Sequence, residues 1–338
     1  MKALVTGGGG FLGSAIVRML RARGDTVTSY SRGTYPELEA LGVEHVRGDL
    51  SDVETLSQAV LGCSVVFHVA AYAGVGCRYA KYHAANVVGT ENVMEACRRG
   101  GIKRLVHTST PSVVFSGKDI EGLDESVPYG EDFLGAHYPR TKAEAERKVL
   151  AANGEELATV ALRPRMIWGP GDNHLIPRLL ARARAGRLRR VGDGKNVVDT
   201  AYIDDAAEAH LLAADALEPG SKVSGRAYFI AQGEPVPMWE LIDRILQAAG
   251  LEPVKRSVPF WLAYAAGWLL EGIYGGLRLE AEPPMTRFVA VQLGLSSWFD
   301  ISAAKRDFGY EPRVSVEEGL KRLAASFAAE REGSSGER

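Results

Sequence analysis

The chain has 338 residues, 46% of them hydrophobic, with 40 Lys and Arg against 42 Asp and Glu. A net charge of −2 gives no electrostatic reason to expect nucleic acid or an acidic surface as partner. Three scattered cysteines, Cys63, Cys77 and Cys97, exclude a disulfide framework and leave too few ligands for a metal; they read as ordinary buried thiols.

The first apolar run, "KALVT", starts at residue 2 and leaves no room for a signal peptide, so a cytoplasmic protein is expected. It leads into "TGGGGFLG", with Gly7, Gly10 and Gly13 at the spacing G-x-x-G-x-x-G, and then into the helical "FLGSAIVRMLRARG". Such a turn lets backbone amides approach a pyrophosphate while the positive end of the next helix faces it. A glycine pattern alone is weak; its place between an N-terminal strand and an amphipathic helix makes it specific.

The strand "TVTSY" runs to Tyr30-Ser31-Arg32, with no carboxylate before Glu37. An NAD-selective site would place an acidic residue there to hold both ribose hydroxyls and repel a 2′-phosphate. A guanidinium suits that phosphate instead, so Arg32 favours NADP(H) with NAD(H) as second choice, unless it points into solvent. "GVEHVRGDL", the helical "DVETLSQAVLG", the strand "SVVFHVAA", a helical region at about 78–100 and "KRLVHTST" follow. Continuous apolar strands separated by helices are the pattern of a parallel sheet covered on both faces, an α/β doubly wound (Rossmann-type) fold.

In "AHYPRTKAEAERKVL", Tyr138 and Lys142 are four apart on a predicted helix and share one face. A phenol of pKa near ~10 needs a drop of about 3 units, roughly 4 kcal/mol, to work near neutrality. A nearby ammonium supplies part of that. The bland alternative is an exposed helix pair.

After "ATVALRP" the text becomes irregular at "MIWGPGDNHLIP", where His174 and Arg178 flank the "GPGD" turn. The basic "RARARAGRLRR" reads as a solvated helix face, or as an attractor for a carboxylate, coenzyme A or an anionic surface. Sheet-like "VVDTAYI" and "AYFIA" precede "VPFWLAYAAGWLLEGIYGG", residues 258–276, which has only 13 residues before Glu271 interrupts it. Spanning a bilayer takes about 20 apolar residues. Three readings stay open: a core helix, the wall of a hydrophobic pocket, or an interfacial helix in contact with lipid. A last helix starts at "SVEE", where Ser315 caps and Glu318 reaches back, and the tail "EREGSSGER" is expected to fray. The organisation expected is a dinucleotide-binding domain over 1–165, a smaller helix-rich substrate lobe over 166–330 interleaved with returning sheet elements at about 197–230, and a frayed tail over 331–338.

The order "TGGGGFLG", "GDL", "HVAA", "NVVGT", "TSTPSVV" and "YPRTK" resembles an extended short-chain dehydrogenase/reductase over essentially the whole chain. "TSTPSVVFSGKDIEGLDESVPY" resembles the branch holding 3β-hydroxysteroid and sterol-4α-carboxylate dehydrogenases and the bacterial 2-alkyl-3-oxoalkanoate reductases of olefin synthesis. "SRGTYPELEALGV" and "SWFDISAAKRDFGYEPRVSVEEGL" resemble the last of these.

The resemblance implies Tyr138 as acid/base, Lys142 as its electrostatic partner and holder of the nicotinamide ribose, and Thr110 as the hydroxyl steadying the substrate oxygen. Ser109 and Ser112 lie close enough to take that last role. For the dinucleotide it implies Gly7, Gly10, Phe11, Leu12 and Gly13 at the pyrophosphate, with Ala70 and Ala71 beneath it. Ser31 and Arg32 fall at the adenosine ribose, Asp49 and Leu50 at the adenine, and Pro164 against the nicotinamide. A homodimer through the long helices before and after "TSTPS" is also implied. The expected activity is NADP(H)-dependent interconversion of a ketone and a secondary alcohol on a bulky apolar substrate, foremost reduction of a 2-alkyl-3-oxoalkanoate to the 3-hydroxy acid. A cationic group at His174 or Arg178 would suit a β-keto carboxylate. The runner-up is a sterol-4α-carboxylate (3β-hydroxysterol) dehydrogenase. A non-catalytic NADP-sensing or scaffold protein is the alternative of another class, and retention of Tyr138 and Lys142 argues against it. Nucleotide-sugar dehydratases follow the active-site Thr with an acidic pair, whereas this chain has Thr110-Pro111-Ser112.

Overall fold

Seven parallel strands, β1 (Lys2–Thr6), β2 (Thr26–Ser31), β3 (Glu44–Arg47), β4 (Val65–His68), β5 (Arg104–Thr108), β6 (Ala158–Pro164) and β7 (Arg226–Ile230), form one sheet in the order β7-β6-β5-β4-β1-β2-β3. The computed structural model describes residues 1–73, 78–277, 279, 281 and 283–335; Cys77 lies outside them, and Cys63 and Cys97 are buried free thiols. Successive side chains of β1 point to opposite faces, Ala3 and Val5 into one core and Leu4 into the other, which is why the strands read as unbroken apolar runs.

Helices α1 (Phe11–Ala22), α2 (Val53–Ala59), α3 (Gly89–Gly100), α4 (His137–Ala151) and α5 (Ile203–Ala216) flank this sheet. α1 and α5 pack together on one face; α2 packs on α3 on the other. The strand order reverses between β1 and β4, and the crevice at the carboxyl ends there is where such sheets bind ligands.

Chain halves interleave. β7 returns to the large sheet beside β6, whereas Ile120–Leu123 leaves the first half to join Ser297–Phe299, Val197–Val198 and Val236–Pro237 in a second, four-stranded sheet. Ser315 caps the last helix through the Glu318 amide at 3.2 Å, but the Glu318 carboxylate binds Arg322 at 2.8 Å, so only half of the expected box forms. That helix, Val316–Ser335, carries the first five residues of the tail expected to fray, with the helix formers Glu330, Arg331 and Glu332 leading into it; 336–338 lie outside the described residues.

The third correction concerns residues 258–276. They form helix α6 (Phe260–Gly276), which buries only Ala263 and Gly267 and so is not a core helix. Trp261 and Trp268 are 69% and 64% exposed, on one outward face with Leu262, Leu269 and Ile273. Neither Trp is among the residues lining the cleft or the small pocket beside it, whose wall takes Glu271 and Gly275 from this helix. Among the described residues no helix is long and apolar enough to cross a membrane.

Candidate active site

The loop after β1 is built on two glycines with no substitute. Gly7 takes φ +71° and a Cβ there would meet the Ala70 backbone at 3.0 Å; a Cβ on Gly13 would run into the Gly7 carbonyl oxygen. α1 then begins at Gly10 with no side-chain cap, so its first amides face the crevice unsatisfied by side chains. The neighbouring strand end is braced from beneath: Thr6 Oγ1 accepts from the Val69 and Ala70 amides, both at 3.2 Å, and lies 2.8 Å from His68 Nδ1.

At the end of β2, Ser31 Oγ is buried without a hydrogen-bond partner among the described residues. The Arg32 side chain is 78% exposed, with Nη1 3.9 Å from Asp49 Oδ2. Asp49 is held below the usual carboxylate range first by the Ser51 amide and hydroxyl, with Arg32 adding a smaller effect. Asn92 donates to the Leu50 carbonyl at 2.7 Å, tying that turn to α3.

α4 carries Tyr138 and Lys142 one turn apart. Asn86, on the π-helical stretch His83–Val88, accepts from the Tyr72 amide at 2.7 Å and donates to Thr141 at 3.1 Å, linking the β4 loop to α4. Lys142 Nζ donates to the Thr108 carbonyl at 2.7 Å and lies 3.2 Å from His107 Nε2. Burial pushes the Lys142 ammonium down to about 8, with Glu146 opposing. The expected depression of the Tyr138 phenol is not found: burial pushes it up to about 12, a hydrogen bond with Thr110 offsets part of this, and Lys142 makes no leading contribution. The reason is geometric, since the ammonium is drawn inward to β5.

Gly7, Gly10, Phe11, Leu12, Gly13, Ser31, Arg32, Asp49, Leu50, Ala70, Ala71, Thr110, Tyr138, Lys142 and Pro164 all line one cleft of about 880 Å³. Ser109 and His174 also line it; Ser112 and Arg178 are not among the lining residues. Ser112 instead bonds Thr110, through its amide at 3.2 Å and its hydroxyl at 3.3 Å. A second pocket of about 280 Å³ shares Tyr138 with this cleft and is walled by Tyr82, His137, Pro283 and Phe288. Sequence reasoning missed Tyr35, Arg165, Met166, Met238 and Gln292, all on the cleft wall. The only local signal was that Arg165 and Met166 directly follow Pro164.

A Rossmann-type sheet with this glycine turn and a Tyr–Lys pair at the switch point defines an oxidoreductase of the extended short-chain class, acting on CH–OH and C=O groups. The chain belongs to the 3-beta hydroxysteroid dehydrogenase/isomerase family, whose model matches residues 4–260. It is 56% identical over 331 residues to a 2-alkyl-3-oxoalkanoate reductase of Stenotrophomonas maltophilia, covering 97% of this chain and 100% of the relative. A mouse sterol-4-alpha-carboxylate 3-dehydrogenase, decarboxylating, is 34% identical over 331 residues, 96% of this chain and 91% of the relative. Among solved structures, MoeE5 in complex with UDP-glucose and NAD superposes with a TM-score of 0.75 at 26% identity, covering 98% of this chain and 99% of that one.

Proposed function

We propose that this protein is a cytoplasmic, NADPH-dependent reductase of 2-alkyl-3-oxoalkanoates, yielding the 3-hydroxy acids. The observation that carries the reading is Tyr138, one phenol shared between the cleft of about 880 Å³ at the glycine turn and a neighbouring pocket walled by Tyr82 and Phe288. The 56% identity to a reductase of that name supports this substrate over a sterol.

The residues fit a dinucleotide. The glycine cradle admits no Cβ at Gly7 or Gly13, the α1 amides lack a side-chain cap, and Ser31 Oγ is a buried orphan at the ribose end. Gly7, Gly10, Phe11, Leu12 and Gly13 would hold the pyrophosphate, Ala70 and Ala71 its underside, Asp49 and Leu50 the adenine, and Pro164 the nicotinamide. Arg32, exposed at the rim with only a 3.9 Å contact to Asp49, is free to turn onto a 2′-phosphate.

When bound, the reduced nicotinamide supplies the hydride. Tyr138 donates the proton to the forming alkoxide, and its raised pKa keeps it in the protonated form that reduction requires. Thr110 hydrogen-bonds the same oxygen; Lys142, its ammonium drawn toward β5, would hold the nicotinamide ribose.

Two features bear on partners. The outward face of α6 carries no charge, and the helix's single charged residue, Glu271, is tied to Arg287 at 2.6 Å. Ser257–Val258, just before α6, pairs in parallel with Arg190–Val191, which brings the basic segments 187–190 and 255–256 side by side, Lys255 being paired to Glu252 at 3.1 Å. An apolar face rimmed by cations suits an anionic lipid surface. α3 and α4, joined by Lys148–Glu91 at 2.8 Å, form the proposed homodimer face.

The test is NADPH oxidation by the purified protein against 2-alkyl-3-keto acids, 3-ketosteroids and UDP-sugars. Turnover of the keto acids alone supports the reading; turnover of ketosteroids in their place overturns it.

A further inference from the structure

We infer that Arg165 is the group that binds the substrate's carboxylate, an assignment that rests on the β-keto acid reading above. Arg165 follows Pro164 at the end of β6, with its amide bonded to the Ile230 carbonyl at 2.9 Å. The next residue, Met166, is held at φ +33°, a strained conformation for a side chain with a Cβ and one that concentrates at functional sites. Arg165 is only 8% exposed and lines the cleft that also holds Tyr138 and Thr110.

Its guanidinium is poorly satisfied. Nε lies 3.4 Å from the Ser297 carbonyl and Nη1 3.5 Å from Gln292 Oε1, both at the limit of a hydrogen bond. Nη2 is buried with no hydrogen-bond partner, and no salt bridge of Arg165 is found among the described residues. The nearby Asp199 carboxylate, whose Oδ2 is likewise buried without a hydrogen-bond partner, acts on it through its field without bonding it; burial lowers the guanidinium to about 10, which leaves it charged at neutral pH.

Arg163, two residues earlier and on β6 itself, is also buried and leaves Nη1 without a partner, but its charge is met by a bonded carboxylate. Its Nη2 and Nε meet the Glu146 carboxylate at 2.6 and 3.1 Å. A buried cation without such a partner is costly unless an anion completes it. The planar, multi-donor head matches a carboxylate bidentately. In a 3-oxoalkanoate the carboxylate is two bonds from the carbonyl carbon that must stand before Tyr138, so the cation has to lie in the same cleft as the phenol, as Arg165 does. His174 also lines the cleft but lacks the planar multi-donor head that meets a carboxylate in two bonds, and Arg178 is not among the lining residues.

The experiment compares wild type, Arg165→Met and Arg165→Lys as full chains. Two measurements are made: NADPH oxidation with a 2-alkyl-3-oxoalkanoate and with the neutral ketone of the same alkyl chains, and calorimetric binding of an unreactive 2-alkylalkanoate. Wild type should prefer the acid. Arg165→Met should lose at least ~30-fold in kcat/KM on the acid, the scale of a charged hydrogen-bonded contact, and change little on the ketone. It should also lose the calorimetric signal, and Arg165→Lys should recover part of both. Equal losses on acid and ketone, or undiminished binding of the 2-alkylalkanoate, would overturn the assignment and leave the reductase reading intact. Arg165-dependent binding with no reduction of any keto acid would overturn the reading and leave the assignment standing. Should the Met variant fail to fold, the Lys variant carries the same comparison, since a displaced point charge should still cut the acid's preference over the ketone.

Discussion

Lys142 Nζ stands 3.2 Å from His107 Nε2, so the residue expected to face the reacting phenol is held from the strand beneath it. Because the ammonium donates, Nε2 accepts, and His107 is neutral, its pKa driven well below the ordinary value by burial first and by Lys142 second. With burial also lowering Lys142 to about 8, the ammonium is lost as pH rises through that value. kcat/KM, which reports the free enzyme, should therefore fall on the alkaline side of about pH 8. Removing the acceptor with His107→Phe should move this fall to lower pH, and His107→Gln should restore it. An unmoved profile in His107→Phe would show that His107 does not set the charge on Lys142.

Tyr138→Phe keeps the ring and removes the proton donor. Turnover should drop at least ~10²-fold, the usual scale of general acid–base catalysis, while NADPH affinity by fluorescence titration stays near wild type. Near-normal turnover would remove Tyr138 from the chemistry.

Arg32→Ala should weaken NADPH binding by about 1.5–3 kcal/mol, the range of a hydrogen bond to a charged group, and leave NADH almost untouched. Among the described residues the ion pair of Arg32 is the long one to Asp49, at 3.9 Å, so the substitution breaks no close one there. Equal effects on the two cofactors would assign the discrimination elsewhere on the cleft rim.

Acid should destabilise the fold through its buried histidines. Burial lowers His68 to about 3 and His210 to about 4, so between these values and about 6.5 the unfolded chain binds protons that the native chain does not. Stability therefore falls as pH drops below about 6.5, each histidine costing roughly 2 kcal/mol by pH 5. Urea midpoints at pH 7 and pH 5 check this, and His210→Gln, which cannot take up the proton, should reduce the loss. Equal acid sensitivity in that variant would point to carboxylates instead.

Replacing Trp261 and Trp268 together by Ser removes the two most exposed rings of α6. Sedimentation with anionic vesicles should drop several-fold, with melting temperature and solution kcat/KM little changed, because neither ring is buried or among the residues lining the cleft and its neighbouring pocket. A large fall in melting temperature with vesicle binding intact would return α6 to a structural role.

The glycine turn, the Tyr138–Lys142 pair and the Ser31-Arg32 strand end were legible in the amino-acid sequence because each is local. A strand, a turn and a helix start fall within a dozen residues, and helical period alone puts residues four apart on one face. The parallel sheet was legible for a similar reason, since burial on both faces leaves unbroken apolar runs. Other features depended on segments brought together from far apart. His107 and Lys142 meet from a strand and a helix 35 residues apart, and Arg165 reaches only the Ser297 carbonyl and Gln292 at long range while Arg163 finds Glu146. The pKa of Tyr138 follows from how deeply the other segments bury it. α6 reads as a core or pocket helix by composition alone. Only packing against α7 (Arg287–Gly294) decides that its small residues, Ala263 and Gly267, face inward and its tryptophans outward. Spacing along a chain fixes direction within an element; burial, charge state and choice of partner belong to the packed whole, because each is set by the dielectric surroundings that the other elements supply.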